Sequence, residues 1–315
     1  MKRILLSATA VLFVIQVMAQ QSATLKINLE KNKVYRLKSA TEQTITQTVN
    51  GNQQTVESNV DYTISLKMID ATPEFMVAEV HFDTLITSTN TMGRTISINS
   101  TVEGDITSSE TGDIMSYIMN NLSENALYVK IDFAGKPVEI MNLKMLSDVV
   151  LKDTASITLE EPMASALKTQ IAGTISDNTL KTMIGGFTWH LPGKEVSVGD
   201  KWVINEQVNS SGMLLAITTT YQLDGIKGNN ADISVESSIK AVENAAPIKS
   251  GGATVSYDNL TGISRSNLVI DTRTGLVVED NTKNHISGNL GVSAPGVSMQ
   301  IPMDISGETK VTALQ

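Results

Sequence analysis

Thr44-Ile45-Thr46-Gln47-Thr48-Val49-Asn50-Gly51-Asn52 alternates apolar or β-branched residues with polar ones and then runs into an Asn-Gly pair. Period-two alternation places one set of side chains on each side of a strand. Asn-Gly supplies the positive φ angles that a tight hairpin turn demands. The stretch therefore reads as one arm of an antiparallel hairpin with a buried face and a wet face. The same alternation extends back through Val34 to Leu37 and through Leu25, Ile27 and Leu29. It extends forward through Val56 to Met68, a turn about Asp70 to Pro73, and Phe75 to Leu85. Thr, Val and Ile dominate, as a pleated half-buried surface prefers.

The strand pattern resumes after Glu195. Trp202 to Val208, Leu214 to Leu223, Ala231 to Ala241, Thr254 to Tyr257, Ser264 to Ile270 and Leu276 to Asp280 read as strands, broken by Asp224-Gly225, Lys227 to Asn230 and Gly251-Gly252. The tail from His285 to Val311 alternates again, and Pro302 predicts an edge strand there. Between the two β regions the period becomes helical. Leu143, Leu146 and Val150 form one stripe, and Met163, Ala166, Leu167 and Ile171 follow Pro162 as a second. Leu180, Met183 and Ile184 form a third, capped by Ser176 or Asp177 and ended by Gly185-Gly186. Asp113 is placed to cap an earlier short helix carrying Ile114, Tyr117, Ile118 and Leu122. Such Met-containing stripes read as core rather than as a ligand groove. The fold class is mainly β with a helical middle (α+β), as two related antiparallel curved sheets, half-barrel-like, joined by a helical segment. Its parts are residues 1–19, a signal peptide; 20–141, a first β half; 142–190, a helical connector; and 191–315, a second β half.

The halves share a motif. Ile131-Asp132-Phe133-Ala134-Gly135-Lys136-Pro137-Val138-Glu139 and Ile270-Asp271-Thr272-Arg273-Thr274-Gly275-Leu276-Val277-Val278-Glu279 both read Ile-Asp, a short turn, then Gly-x-x-Val-Glu. Each describes a strand, a tight turn and a returning strand. Tyr35 and Trp202 also correspond, as aromatics opening the first strand of each half. The pattern points to an internal duplication with an insertion in the first half around Thr87–Asn125.

Lys2 and Arg3, an apolar run from Ile4 to Val17, and Val17-Met18-Ala19 before Gln20 have the form of a cleavable secretory signal. The expected location is periplasmic or extracellular, with no transmembrane segment in the mature chain. Cysteine is absent, which excludes disulfides and thiolate metal sites. A net charge of −9 argues against nucleic acid and against anionic lipid, both of which need clustered Lys and Arg. Aromatic residues make up only 4% of the sequence, so stacking platforms for sugars or single-stranded nucleic acid are not expected.

Three features occur together: a signal ending in Ala-Gln, the opening Leu29-Glu30-Lys31-Asn32-Lys33-Val34-Tyr35-Arg36-Leu37, and a central Leu191-Pro192 leading through Val196-Ser197-Val198-Gly199-Asp200 to Trp202. The combination resembles an uncharacterised domain-of-unknown-function family of exported, β-rich proteins from Bacteroidota. The resemblance covers the mature chain and implies a β-rich exported protein with no assigned activity or site residues. The curved sheets of envelope lipoprotein carriers are a looser analogy of fold, which transfers no function.

The chemistry-bearing residues are dispersed. His81, His190 and His285 stand in separate segments without metal-ligand spacing, and each reads as structural or solvated. No Gly-x-Ser-x-Gly elbow is present. Neither Gly185-Gly186 nor Gly251-Gly252 leads into a phosphate cradle. Glu160-Glu161 reads as acidic charge at a helix start, and Glu279-Asp280 as neighbours pointing to opposite faces of a strand. Val198 to Trp202 reads as a turn into a strand that Trp202 anchors. Asp83-Thr84-Leu85 and Asp153-Thr154-Ala155 resemble acceptors for protein O-glycosylation at Thr84 or Thr154. No catalytic, cofactor or metal residue is assigned, and no cofactor is expected. The expected function is non-enzymatic: binding of a small apolar or peptide-like ligand, or of a protein partner. A hydrolase with a dispersed site and a purely structural module are the alternatives.

Overall fold

The computed structural model describes residues 21–314 apart from 50, 211, 212, 244, 251, 252 and 295. The expected signal segment, residues 1–19, lies outside the described residues. The chain begins with β1 (Ser22–Leu25), β2 (Val34–Val49), β3 (Asn52–Ala71), β4 (Phe75–Thr91) and β5 (Arg94–Asn99). Helix α1 (Thr111–Ser123) and a hairpin of β6 (Leu127–Asp132) and β7 (Pro137–Ile140) follow. Helices α2 (Leu143–Val150), α3 (Met163–Thr174) and α4 (Asp177–Thr188) form the middle. The rest is β8 (Lys194–Ser197), β9 (Lys201–Ser210), β10 (Met213–Lys227), β11 (Asn230–Ala241), β12 (Ile248–Ser250), β13 (Ala253–Asp271), β14 (Val277–Ala294) and β15 (Val297–Leu314).

The chain is mainly β and antiparallel, with a helical middle. The expectation of two sheets is corrected, because both β regions join a single thirteen-stranded sheet in the order β7-β6-β4-β3-β2-β15-β14-β13-β11-β10-β9. Here β5 pairs with β4 and β12 with β13, while β1 and β8 form a separate ribbon. The sheet is not closed: β7 and β9 end it. The tail makes the join, since β15 pairs with β14 from Val297 to Thr312 and with β2 from Met303 to Leu314. Although β15 lies inside the sheet, Pro302 keeps the predicted edge environment locally. Pro302 pairs with Asn289 of β14, and the β2 ladder begins only at Met303, so no β2 partner stands beside the proline. Charges are aligned in rows on the polar face. Glu236, Arg265, Lys283 and Glu308 lie in register across β11, β13, β14 and β15, with Arg265–Glu236 at 3.0 Å and Lys283–Glu308 at 2.7 Å. Such exposed pairs specify register more than they add stability.

The turn at Gly51 closes the β2–β3 hairpin, with Val49 opposite Asn52. The two Gly-x-x-Val-Glu segments also form hairpins. Asp132 and Asp271 each accept from the backbone of the matched glycine, Gly135 and Gly275, whose φ angles are +88° and +75°. The hairpins clasp one segment between them. Ile27 donates its backbone N–H to Phe133, and Asn28 to Thr274. Leu25, Ile27 and Leu29 are buried as their alternation predicts, but only Ser22–Leu25 is a strand, paired with β8. The predicted insertion region holds β5 and α1.

The main core lies where the helices cover the sheet, with Phe82 of β4, Ile114 and Ile118 of α1, and Leu180 and Phe187 of α4 almost fully buried. The stripes differ from expectation in three details. Helix α1 is capped at Glu110, with Asp113 inside its first turn. The buried stripe of α3 is Ala164, Leu167 and Ile171; Met163, the first residue of the helix, is 55% exposed. Helix α4 is capped by the Ser176 hydroxyl, which accepts from the Thr179 N–H, and it continues past Gly185-Gly186 to Thr188. Gly185 serves packing instead, since Pro137 of β7 lies against the space a Cβ would take.

Candidate functional site

Along one face of β14 the register sets Asp280, Thr282, Asn284, Ile286, Gly288 and Leu290 in a line. The same progression recurs on its neighbours. β15 presents Thr309, Gly307, Ile305 and Met303 beside them, and β13 presents Ser266, Ser264 and Gly262. This inner face is therefore apolar under the helices, hydroxyl- and amide-bearing in its middle, and apolar again toward the hairpin turns.

The second apolar zone is a cluster separate from the main core, formed by Leu215, Ile239, Leu260, Ile286, Leu290, Met303 and Ile305. All of these but Ile239 line a cavity of about 240 Å³, whose walls also include Tyr257 of β13 and, from β2, Ile45 together with the amides of Gln43 and Gln47. β2 and β10 stand five places apart in the sheet and yet line one cavity. Local sequence makes this approach feasible. A Cβ at Gly262 would lie 2.6 Å from Ile286 Cγ1, and one at Gly288 2.8 Å from Leu260 Cα, so β13 and β14 pack through glycine. A bulge between positions 258 and 261, with Asn259 at φ +60°, turns Leu260 inward to 1% exposure.

In the polar band, hydroxyls pair across strands: Thr41 with Thr309 at 3.0 Å, and Thr219 with Ser237 at 2.9 Å. Trp202 stacks flat on Tyr221, 5.4 Å between ring centres, and donates Nε1–H to the His190 carbonyl at 2.9 Å. His190 Nε2 lies 3.0 Å from the Gly186 carbonyl and Nδ1 3.5 Å from the Tyr221 hydroxyl. Burial lowers the His190 pKa, opposed by the charge of Asp280. Burial raises that of Tyr221, and the charges of Glu206 and Asp280 push it the same way. Burial also raises the carboxyl of Glu206, against the pull of Lys136. Asp280 Oδ2 accepts from the Thr282 hydroxyl at 3.0 Å, whereas Asp280 Oδ1 and Asn284 Oδ1 are buried with no hydrogen-bond partner.

The shifts at His190 and Glu206 give a pH prediction. A histidine with a depressed folded-state pKa holds fewer protons folded than unfolded, so its contribution to stability is present above about pH 6.5 and is lost as pH falls from there toward the folded value. Glu206, raised, acts in the opposite sense above its unfolded value, so the comparison is made in the Glu206→Gln background. In that background, His190→Gln is expected to flatten the fall of unfolding free energy below pH 6.5 by as much as about 1.4 kcal/mol per pH unit. Denaturant titrations at several pH values read this slope. An unchanged slope would place the imidazole in water.

The other singled-out residues fall elsewhere. His81 and His285 lie on the polar face beside Glu79 (3.4 Å) and Asp304 (3.3 Å). Glu279 and Asp280 do point to opposite faces: Glu279 meets Lys310 at 3.6 Å, while Asp280 enters the polar band. Glu161 accepts from the Ser165 N–H near the start of α3. Trp202 is 8% exposed, and the turn before it is held by Asp200 accepting from the Ser197 N–H. Thr84 sits within β4, and Thr154 donates its hydroxyl to the Leu151 carbonyl. Sequence reasoning missed the grouping of His190, Glu206, Tyr221 and Asp280, whose only signal was an acid at an inward position of a strand. Among the described residues, no group of three or more His, Asp or Glu is placed to hold a metal ion. No helix among them is long and apolar enough to cross a membrane.

A wider groove of about 900 Å³ crosses the polar face between Lys201, Arg265 and Lys283. Arg265, Lys283 and His285 there already face Glu236, Glu308 and Asp304, so the groove offers little unpaired charge. The inner cavity and polar band form the better candidate.

Among solved structures, the chain is similar to one of lipid–protein interactions in lipovitellin, at 9% identity and a TM-score of 0.45, covering 91% of this chain and 26% of that one. The chain thus spans about a quarter of lipovitellin's length. It is also similar to an outer membrane channel from Pseudomonas putida F1, at 9% identity and a TM-score of 0.26, covering 91% and 97% of the two chains. With TM-scores below 0.5, neither likeness bears on function. No curated protein matches. A family model described as a family of unknown function (DUF6263) matches residues 74–277.

Proposed function

Because the chain belongs to DUF6263, a family of unknown function, its role rests on geometry, and we propose that it is a non-enzymatic protein that binds an apolar ligand between β2, β15, β14, β13 and β10. The observation that carries this reading is the second apolar cluster. Six of its seven buried apolar side chains, from β10, β13, β14 and β15, line open space instead of filling it. Interiors normally pack to near-crystalline density, and apolar walls around a cavity favour an apolar guest over water. The sheet on this reading curls like an incomplete barrel, bringing β10 toward β2. Export to the periplasm or cell exterior is part of the proposal and is supported by the signal-like residues 1–19.

Titration with the neutral dye Nile Red tests it. Saturable binding near one dye per chain is expected. Leu290→Trp, which fills the cavity from β14, is expected to weaken binding at least about tenfold. Ile45→Trp fills it from β2 and gives an independent reading should the first variant unfold. Absence of saturable binding, or equal affinity in a folded Trp variant, would overturn the proposal.

A further inference from the structure

We propose that the inner cavity takes a small uncharged ligand with an apolar body and a carbonyl oxygen, the oxygen held by the Gln47 carboxamide. This rests on the apolar-ligand reading and adds the chemistry of the ligand's polar group.

The walls decide the charge. None of the described residues lining the cavity is Asp, Glu, Lys, Arg or His. Its polar side chains are Gln43, Gln47 and Tyr257, and burial raises the Tyr257 phenol above its ordinary range, so that group too stays neutral at pH 7. A carboxylate or ammonium drawn in would give up its hydration and meet no counter-charge. A neutral guest avoids that cost.

The register decides where the polar group goes. Gln43 and Gln47 are four residues apart on β2, about 13 Å, so one ligand group meets one of them. The row through Gln43 continues as Gly307 of β15, Asn284 of β14 and Ser264 of β13, and belongs to the polar band. The row through Gln47 continues as Met303 of β15 and Gly288 of β14, against which Leu260 of β13 packs. Gln47 is therefore a single amide in apolar surroundings, and its Nε2 donates to the Met303 thioether at 3.8 Å. A thioether is a weak acceptor, so a carbonyl oxygen beside it is the better partner. Two residues away on the same face, about 7 Å along β2, Ile45 opens the apolar row that Ile305 and Ile286 complete. An apolar ring or short chain bearing a carbonyl spans that distance. Size agrees: an apolar cavity of about 150 Å³ takes up benzene, so 240 Å³ holds a ring with a few further heavy atoms.

Displacement of bound Nile Red at pH 7 by four probes of similar size tests this: acetophenone, isopropylbenzene, benzoate and benzylammonium, each below its aqueous solubility. Both neutral probes are expected to displace the dye, and the two ions to need at least about tenfold higher concentration than acetophenone. Gln47→Leu is expected to weaken acetophenone about fivefold relative to isopropylbenzene, a comparison in which the different hydrophobicity of the two probes cancels. Gln47→Met, which keeps the length of the side chain, gives the same reading should Gln47→Leu unfold. If acetophenone fails to displace the dye, if either ion matches it, or if a folded Gln47 variant leaves the ratio of the neutral probes within about twofold of the parent's, the neutral carbonyl ligand is wrong and the apolar cavity stands. If Nile Red itself shows no saturable binding, the apolar-ligand reading fails and this inference falls with it.

Discussion

Gly135→Ala is expected to destabilise the protein by more than about 3 kcal/mol, with Gly199→Ala costing only about 1–2 kcal/mol. Both glycines adopt left-handed backbone, φ +88° and +95°, so both variants lose the freedom a missing Cβ allows. They differ in surroundings. A Cβ at Gly135 would stand 1.9 Å from the Thr188 carbonyl oxygen and 2.6 Å from its carbon, whereas at Gly199 nothing lies within 4 Å. At position 135 the clash is with backbone at the end of α4, which cannot rotate aside. The buried Thr188 hydroxyl, which donates to the Gly135 carbonyl at 2.6 Å, would lose its partner as the strands part. Urea titration of the two variants isolates the steric part as their difference. Equal losses would mean that the β6–β7 hairpin is not pressed against α4.

Phe187→Ala is expected to cost about 3–5 kcal/mol. The Phe187 ring is fully buried at the sheet-facing side of α4 and meets Tyr62 of β3 edge-on, with centroids 5.2 Å apart at 71°. Removing the ring leaves a cavity between rigid elements and takes away an edge-to-face pair of about 0.5–1.5 kcal/mol. Tyr62 reports the change. Burial pushes its phenol up to about 12, with the Ser39 hydrogen bond pulling the other way, so opening the site should bring its titration back toward 10. Thermal unfolding and an alkaline absorbance titration check the two consequences. A loss under 1 kcal/mol would mean that the helical layer does not seal the sheet.

Strand content and the Asn-Gly hairpin were legible because period-two burial and turn chemistry are local. Leu25, Ile27 and Leu29 declared their burial by alternation, although nothing in those residues reveals that two hairpins, and not a sheet, hold the later part of the segment. The single sheet was not legible. Met303 to Leu314 pairs with Arg36 to Gln47, more than 250 residues away, and the residues that meet carry no mark of their partner. The pattern of α3 misled because Met163 is apolar yet exposed at the first residue of the helix, immediately before the buried stripe begins. The candidate site was hidden for a related reason. Asp280 reads as half of an acidic pair until the register sets it on the inward face between Leu268 and Val311, beside the Thr282 hydroxyl, and Glu206 approaches Tyr221 only once β9 is laid beside β10.

The stitching of β2 to β15 also has a consequence for biogenesis. At ribosomal rates of roughly 5–20 residues per second, β2 emerges some tens of seconds before the strand that will cover its open side. During that interval one flank of β2 is a naked template for intermolecular pairing, guarded on its solvent side by Arg36, Lys38 and Glu42. Completion of the sheet is a late, long-range and therefore slow event, and a nascent chain of this design depends on being kept apart from its copies until its last strand arrives.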